Sequence, residues 1–229
     1  MALTTILRRA SGLLRCRALQ MPLPQRCCRH FSSGEGSKIT SGGFSYPAPR
    51  SLQQIVKLEL LENESQEQIR AIWENYHREK DDSLATTLAS EQYANLVQRA
   101  TASPFFLFPV YRKEGFFNMI CQFQDTCFLL TYLEAFKENP GLAPPCLTVS
   151  LYDDLVENKQ IGLLRADVIN MLDKKESQVL LDQLVASYSD EKLFAWVHRF
   201  NHEPEQFDFE AYRLEMQKYT AALPSTESA

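Results

Sequence analysis

Apolar positions in this chain change period twice. Ile69, Ile72, Trp73 and Tyr76 recur at i, i+3, i+4 and i+7, which is one stripe of a helix. Ser65-Gln66-Glu67-Gln68 ahead of them is an S-x-x-Q capping box, a helix-start signal. A second helix is expected to open at Ser90, carry Tyr93, Leu96, Val97 and Ala100, and end before Pro104, because proline cannot continue the hydrogen-bond ladder. From Phe105 the period becomes two, with strand-like runs at Phe105 to Val110, Phe116 to Phe123, Cys127 to Phe136, Cys146 to Tyr152 and Ile161 to Leu164. Lys113-Glu114-Gly115, Gln124-Asp125-Thr126, Asn139-Pro140-Gly141 and Asn158-Lys159-Gln160 supply turn residues between them. Such short connections predict antiparallel neighbours. The helical period then returns at Leu181, Leu184, Val185 and Tyr188, Lys192 to Phe200 reads as a last strand, and Phe207 to Tyr219 as a closing helix behind Pro204.

This order predicts an α+β domain: N-terminal helices, a mostly antiparallel sheet of about five or six strands packed by helices on one face, and a C-terminal helix. Residues 34–50 hold four of the eight glycines with Pro47 and Pro49, the composition of a flexible linker. The expected organisation is a transit peptide over 1–33, this linker, a single domain over 51–220 and a disordered tail over 221–229.

Charge sharpens the first of these segments. Residues 1–33 contain six arginines, no lysine and no acid, leaving 18 basic against 29 acidic residues in the remaining 196 and a balance of −11 there. Arginines with leucines between them and no continuous apolar core read as an amphipathic mitochondrial transit peptide rather than a secretory signal. Arg29-His30-Phe31-Ser32-Ser33 resembles a matrix-protease cleavage pattern. The acidic remainder disfavours nucleic acid as a direct partner, since phosphate contacts need clustered lysine and arginine.

The stretch 105–133 holds nine of the 25 aromatic residues. Pro109, Arg112, Lys113, Glu114 and Asp125 interrupt it, so it falls short of the roughly 18 apolar residues of a membrane span, and direct membrane insertion is not expected. Both faces of its strands are apolar: Phe117, Met119, Cys121 and Phe123 oppose Phe116 and Ile120, which sit beside Asn118 and Gln122. A sheet covered on both sides explains this, as does an incompletely covered face that docks another protein.

Candidate chemistry is sparse. Beyond the linker only Gly115, Gly141 and Gly162 remain, so no P-loop and no G-x-G-x-x-G can be written there, and no nucleotide cofactor is expected. His198-x-x-x-His202 has helical metal spacing with Glu203 as a third donor, against the simpler reading of two surface histidines. Asp153, Asp154 and Glu157 have the oxygen chemistry for Mg²⁺, or are solvated acids after a strand. Outside the first 33 residues the cysteines are Cys121, Cys127 and Cys146, which suit buried apolar positions, with Cys121 and Cys127 as the one conceivable redox pair. No metal site and no catalytic residue is assigned. A small matrix enzyme with a pocket near Asp153, Asp154 and His198, or a general holdase, is the alternative to a binding protein.

An ordered set of residues resembles the ATP11 family of mitochondrial F1-ATPase assembly factors. It comprises Ser51-Leu52-x-x-Ile55, then Ile69-x-x-Ile72-Trp73-x-x-Tyr76, Pro109-x-x-Arg112-x-x-Gly115-Phe116 and Gln122-x-Gln124. It continues with Thr131-x-Leu133-Glu134-x-Phe136-Lys137, Pro145-x-x-Thr148-x-x-x-Tyr152, Leu164-Arg165-x-Asp167 and Arg199-Phe200-Asn201 ahead of Phe207. The resemblance implies a monomeric, non-catalytic matrix chaperone that binds the free F1 β subunit and prevents its aggregation until an α subunit replaces it. Aromatic and arginine anchors dominate such interfaces, which nominates Tyr111, Arg112 and Phe116 at the first hairpin and Trp196 and Phe200 further on.

Overall fold

The computed structural model describes residues 37–39, 45–47 and 49–223. The expected transit peptide and most of the expected tail lie outside them. Within residues 34–50 a short antiparallel pair forms, β1 (Ser37–Ile39) with β2 (Ser45–Pro47).

Helix α1 is a single turn (Leu58–Leu61), and α2 (Gln66–Arg78) starts at the expected cap, where Ser65 Oγ accepts from the Gln68 amide and the Gln68 side chain returns to the Ser65 amide. Its buried line is Ile69, Trp73 and His77, while Ile72 and Tyr76 stay exposed, a narrower stripe than the sequence pattern suggests. Strand β3 (Ser83–Ala89) was not anticipated. Helix α3 (Ser90–Ala102) follows directly and ends before Pro104 as expected.

Next come β4 (Phe105–Arg112), β5 (Gly115–Gln124) and β6 (Cys127–Tyr132). The run from Cys127 does not continue as strand to Phe136: Leu133–Glu138 is helix α4, whose Leu133 and Phe136, three apart, turn inward together. Strand β7 (Pro145–Tyr152), the one-turn helix α5 (Val156–Lys159) and β8 (Ile161–Val168) complete the sheet. All pairings are antiparallel, and the spatial order is β3-β8-β7-β6-β5-β4.

Helix α6 (Lys174–Ser189) carries the expected Leu181, Leu184 and Tyr188 in the core. The expected strand over Lys192 to Phe200 is instead helix α7 (Glu191–His202). Two features decide for helix. Asp190 accepts from the Lys192 and Leu193 amides, an N-cap, and Leu193, Val197 and Phe200 at i, i+4 and i+7 are the buried set. A 3-10 turn at Pro204–Gln206 leads to the closing helix α8 (Phe209–Ala222), capped by Asp208.

Helices lie on both sides of the sheet, not on one. On one face Phe128 meets Tyr188 of α6 at 5.1 Å between ring centroids, Phe106 meets Phe200 of α7 at 5.7 Å, and Tyr93 of α3 lies over Gly162. On the other, α2 covers the β3–β8 end: Ile69 and Trp73 pack with Ile161, Leu163 and Tyr152, and Trp73 Nε1 donates to the Leu164 carbonyl. Among the described residues no helix is long and apolar enough to cross a membrane.

Two expectations follow. A Cβ on Gly162 would stand 2.1 Å from Tyr93 Cδ2, and Tyr93 is anchored in the core, so Gly162→Ala should cost about 1–3 kcal/mol by overpacking, measured by urea unfolding; unchanged stability would contradict the close approach. His77 is buried and its ionisation pushed down to about 4, mainly by desolvation. Its neutral form belongs to the fold, and the unfolded chain takes up the extra proton below its ordinary value of about 6.5. Stability from this group is therefore full above that value and lost as pH falls toward 4, by about 3 kcal/mol. His77→Phe should lose correspondingly less stability between those pH values; parallel pH profiles would count against it.

Candidate partner-binding surface

Five residues nominated by the sequence lie on three separate elements, and α8 joins them. Tyr111 and Phe116 are register partners at the β4–β5 hairpin, their rings 6.1 Å apart. Phe116 then meets Phe209 at 6.4 Å, Phe209 meets Tyr212 at 6.3 Å, and Tyr212 meets Trp196 at 6.1 Å. Phe207 closes the set against Trp196 and Phe200, at 6.2 and 5.2 Å. A continuous aromatic layer thus runs from the hairpin, under α8, to α7.

The members differ in what they offer to a partner. Phe200 is buried between Phe106 and Phe207. Arg112 is committed inward: its Nε lies 2.6 Å from Glu176 Oε1, its other contacts include Glu176 Oε2 at 2.9 Å and the Met171 carbonyl at 2.9 Å, and it stacks over Phe117. Tyr111 donates its hydroxyl to the Arg213 carbonyl, and burial pushes the phenol up to about 12. Phe116 and Trp196 are only half-buried. Each lies under a guanidinium, Arg213 at 5.0 Å from Phe116 and Arg199 at 5.3 Å from Trp196. Trp196 Nε1 donates to Glu215. These two ring and arginine pairs, Phe116 with Arg213 and Trp196 with Arg199, form the outer border of the layer.

The same elements seal the outer edge of β4. Asn201 donates to the Phe105 carbonyl at 2.6 Å and accepts from its amide at 3.1 Å, while Tyr212 donates to the Leu107 carbonyl at 2.8 Å. Outward backbone groups alternate along a strand, so Pro109 stands at the next outward position, where its missing N–H costs no ladder bond.

The other candidates do not converge. Asp153 and Asp154 are exposed and line a cavity of about 210 Å³ with Arg50, Ser150 and Tyr152. His198 lies in a separate open depression with Arg99, Phe194, Arg199 and Glu203. His198 and His202 stack at 4.6 Å, but the His202 Nε2 pairs with Ser103 Oγ and Glu203 is 4.0 Å from His198. Among the described residues no group of three or more histidine, cysteine or acidic side chains could hold a metal ion. Cys121 and Cys127 are both free and buried. Cys121 opposes Leu130 while Cys127 opposes Gln124, which places the two thiols on opposite faces of the sheet. They therefore do not form the redox pair that their proximity in sequence suggests.

Sequence reasoning missed Phe207, Phe209, Tyr212, Arg199 and Arg213 as parts of this layer. The signal available was their aromatic and arginine density around the Asp208 cap.

Removing the edge seal should be measurable. Asn201→Ala leaves the Phe105 amide and carbonyl unpaired and should cost about 2 kcal/mol, and Tyr212→Phe about 1 kcal/mol. Urea unfolding checks both, and losses below a few tenths of a kcal/mol would show that α7 and α8 are held by other contacts.

Comparison with known proteins places this architecture. Residues 32–212 match the model of the ATP11 protein family. The chain is 27% identical over 184 residues to ATP synthase mitochondrial F1 complex assembly factor 1 of Danio rerio, which covers 79% of this chain and 60% of that protein. It is 24% identical over 196 residues to the proteins of the same name from Mus musculus and Homo sapiens, covering 84% of this chain and 60% and 59% of theirs. The chain thus spans about three fifths of the length of the curated relatives it matches. Since the family match covers nearly the whole folded domain, the chain belongs to the ATP11 family.

Proposed function

We propose that this protein is an assembly factor for the F1 sector of mitochondrial ATP synthase, working in the matrix. It binds the free β subunit and prevents its aggregation until an α subunit takes its place. The observation that carries this reading is the family match across residues 32–212. The names of the relatives support the F1 complex as the setting, and the six arginines without an acid in residues 1–33 support import.

Phe116 and Trp196, with Arg213 and Arg199 above them, are the proposed contact residues. Ring and guanidinium pairs make strong interface anchors once water is excluded. Tyr111 and Arg112 hold the hairpin in place through Arg213 and Glu176, and Phe200 supports the layer from within. Affinity concentrated in a few anchors suits a chaperone that must be displaced, because total area does not set affinity.

The test is to mix the protein with free F1 β subunit, with free α subunit as control, and follow co-elution and light scattering. Binding to β with suppressed aggregation is expected. Trp196→Ala with Arg199→Ala should weaken that binding at least about tenfold, with the fold intact by circular dichroism. Equal binding to α, or to any unfolded client, would leave a general holdase instead.

A further inference from the structure

Strand β3 is the other edge of the sheet, and its outward backbone is not closed in the way that α7 and α8 close β4. The Val168 amide donates to the Asp82 carbonyl at one end of the β3–β8 pairing, and the Ser90 amide to the Gln160 carbonyl at the other. Bonded pairs alternate along an antiparallel ladder, so Leu84, Thr86 and Leu88 exchange bonds with β8, while Ser83, Ala85, Thr87 and Ala89 turn their backbone groups outward. The ends of that row are occupied: Ser83 is 0% exposed, and the Ala89 amide donates to Gln92 Oε1. Ala85 and Thr87 are half-buried, and among the described residues no hydrogen bond takes their amides or carbonyls.

Natural sheet edges are blunted by charge, proline or a bulge. Ser-Leu-Ala-Thr-Thr-Leu-Ala holds no charge and no proline, and its register with β8 is unbroken from Ser83 to Ala89.

The spacing of the free groups fits a second copy of the same strand. When β3 lies antiparallel to β3 of another copy with Thr86 opposite Thr86, Ala85 stands opposite Thr87 and Thr87 opposite Ala85. Each of those two pairs then exchanges both of its bonds, and every free group is used. Sliding the register by two residues either way calls on Ser83 or on the Ala89 amide, which are already taken. The same register sets Leu84 against Leu88 on one face, and matched threonine and apolar cross-strand pairs stabilise a sheet.

Charge follows the same two-fold. Helix α2 runs antiparallel to β3: Gln66 Nε2 donates to the Gln160 carbonyl beside Ser90, Arg70 Nε to Thr87 Oγ1, and Trp73 Nε1 to the carbonyl of Leu164, the register partner of Thr86. Glu74 is one turn beyond Arg70 on the same side of the helix. That is about 6 Å along the axis, close to the length of two strand residues, which sets Glu74 level with Ala85. Since Thr87 faces Ala85 across the two-fold, Arg70 of each copy is brought to Glu74 of the other.

We propose that β3 is a self-pairing edge, through which two copies of this chain join about an axis at Thr86 into one continuous antiparallel sheet. The interface is isologous, and the monomer implied by the family resemblance is its dilute form. The inference does not depend on the F1 assembly reading.

Sedimentation equilibrium of the full chain should show monomer below about 1 μM and dimer above about 100 μM, as suits a small interface. Ala85→Pro removes an outward donor that the monomer does not use, as Pro109 does in β4. It should raise the dissociation constant at least about tenfold with an unchanged circular dichroism spectrum. Glu74→Arg sets like charges against each other at Arg70 and should weaken the dimer about fivefold, and Arg70→Glu added to it should restore the affinity. A chain that stays monomeric at every concentration, assembles beyond a dimer, or dimerises equally well in all variants would overturn the proposal. Should Ala85→Pro unfold, the charge swap decides alone, and a double variant that does not recover would overturn it. Dimerisation is read without F1 subunits, so either result is separable from the assembly reading.

Discussion

Burial on both sides of one antiparallel sheet is the constraint from which the remaining architecture follows. Strands β5 and β6 carry apolar side chains at successive positions, with Phe117, Met119 and Cys121 on one face and Ile120 and Leu129 on the other, all essentially inaccessible. At about 25 cal/mol per Å² of apolar surface, neither face can be left in water. Helices α3, α6 and α7 close one side. Helix α2 closes part of the other through Trp73, whose indole is both packed against Tyr152 and hydrogen-bonded to the Leu164 carbonyl.

An open sheet also has two edges, and an unpaired edge invites further strands. Here β4 is protected by side chains instead of by another strand. Asn201 and Tyr212 occupy its outward backbone groups, and Pro109 removes a donor where none is needed. Because Tyr212 also belongs to the aromatic layer beneath α8, edge protection and the proposed partner surface are built from the same helices. The inward commitment of Arg112 to Glu176 ties the hairpin to the start of α6, so Phe116 is presented from a braced turn.

Much of this was legible in the residue pattern. The capping box at Ser65, the Pro104 stop and the turn residues between β4, β5 and β6 each carry a local signal stronger than their surroundings. Other elements were decided by packing. Leu193-Phe194-Ala195-Trp196-Val197-His198-Arg199-Phe200 is rich in aromatic residues and contains the β-branched Val197, types that favour strands, and its apolar positions satisfy both periods. The Asp190 cap and the i, i+4, i+7 burial of Leu193, Val197 and Phe200 resolve the ambiguity toward helix. Strand β3, Ser-Leu-Ala-Thr-Thr-Leu-Ala, has little alternation of its own and is specified by its pairing with β8. The site was legible in part: Tyr111, Phe116 and Trp196 were visible as aromatic surplus, but their connection runs through α8, and only tertiary structure brings its residues between them.

In the proposed function one surface, made by the β4–β5 hairpin with α7 and α8, meets the F1 β subunit. Hydrogen–deuterium exchange of the protein with and without free β subunit tests it most directly. Slowed exchange is expected in the peptides covering residues 111–116 and 193–216, with α2 unaffected. Protection confined to α2 and the neighbouring strand β3, with none in α7 or α8, would contradict it.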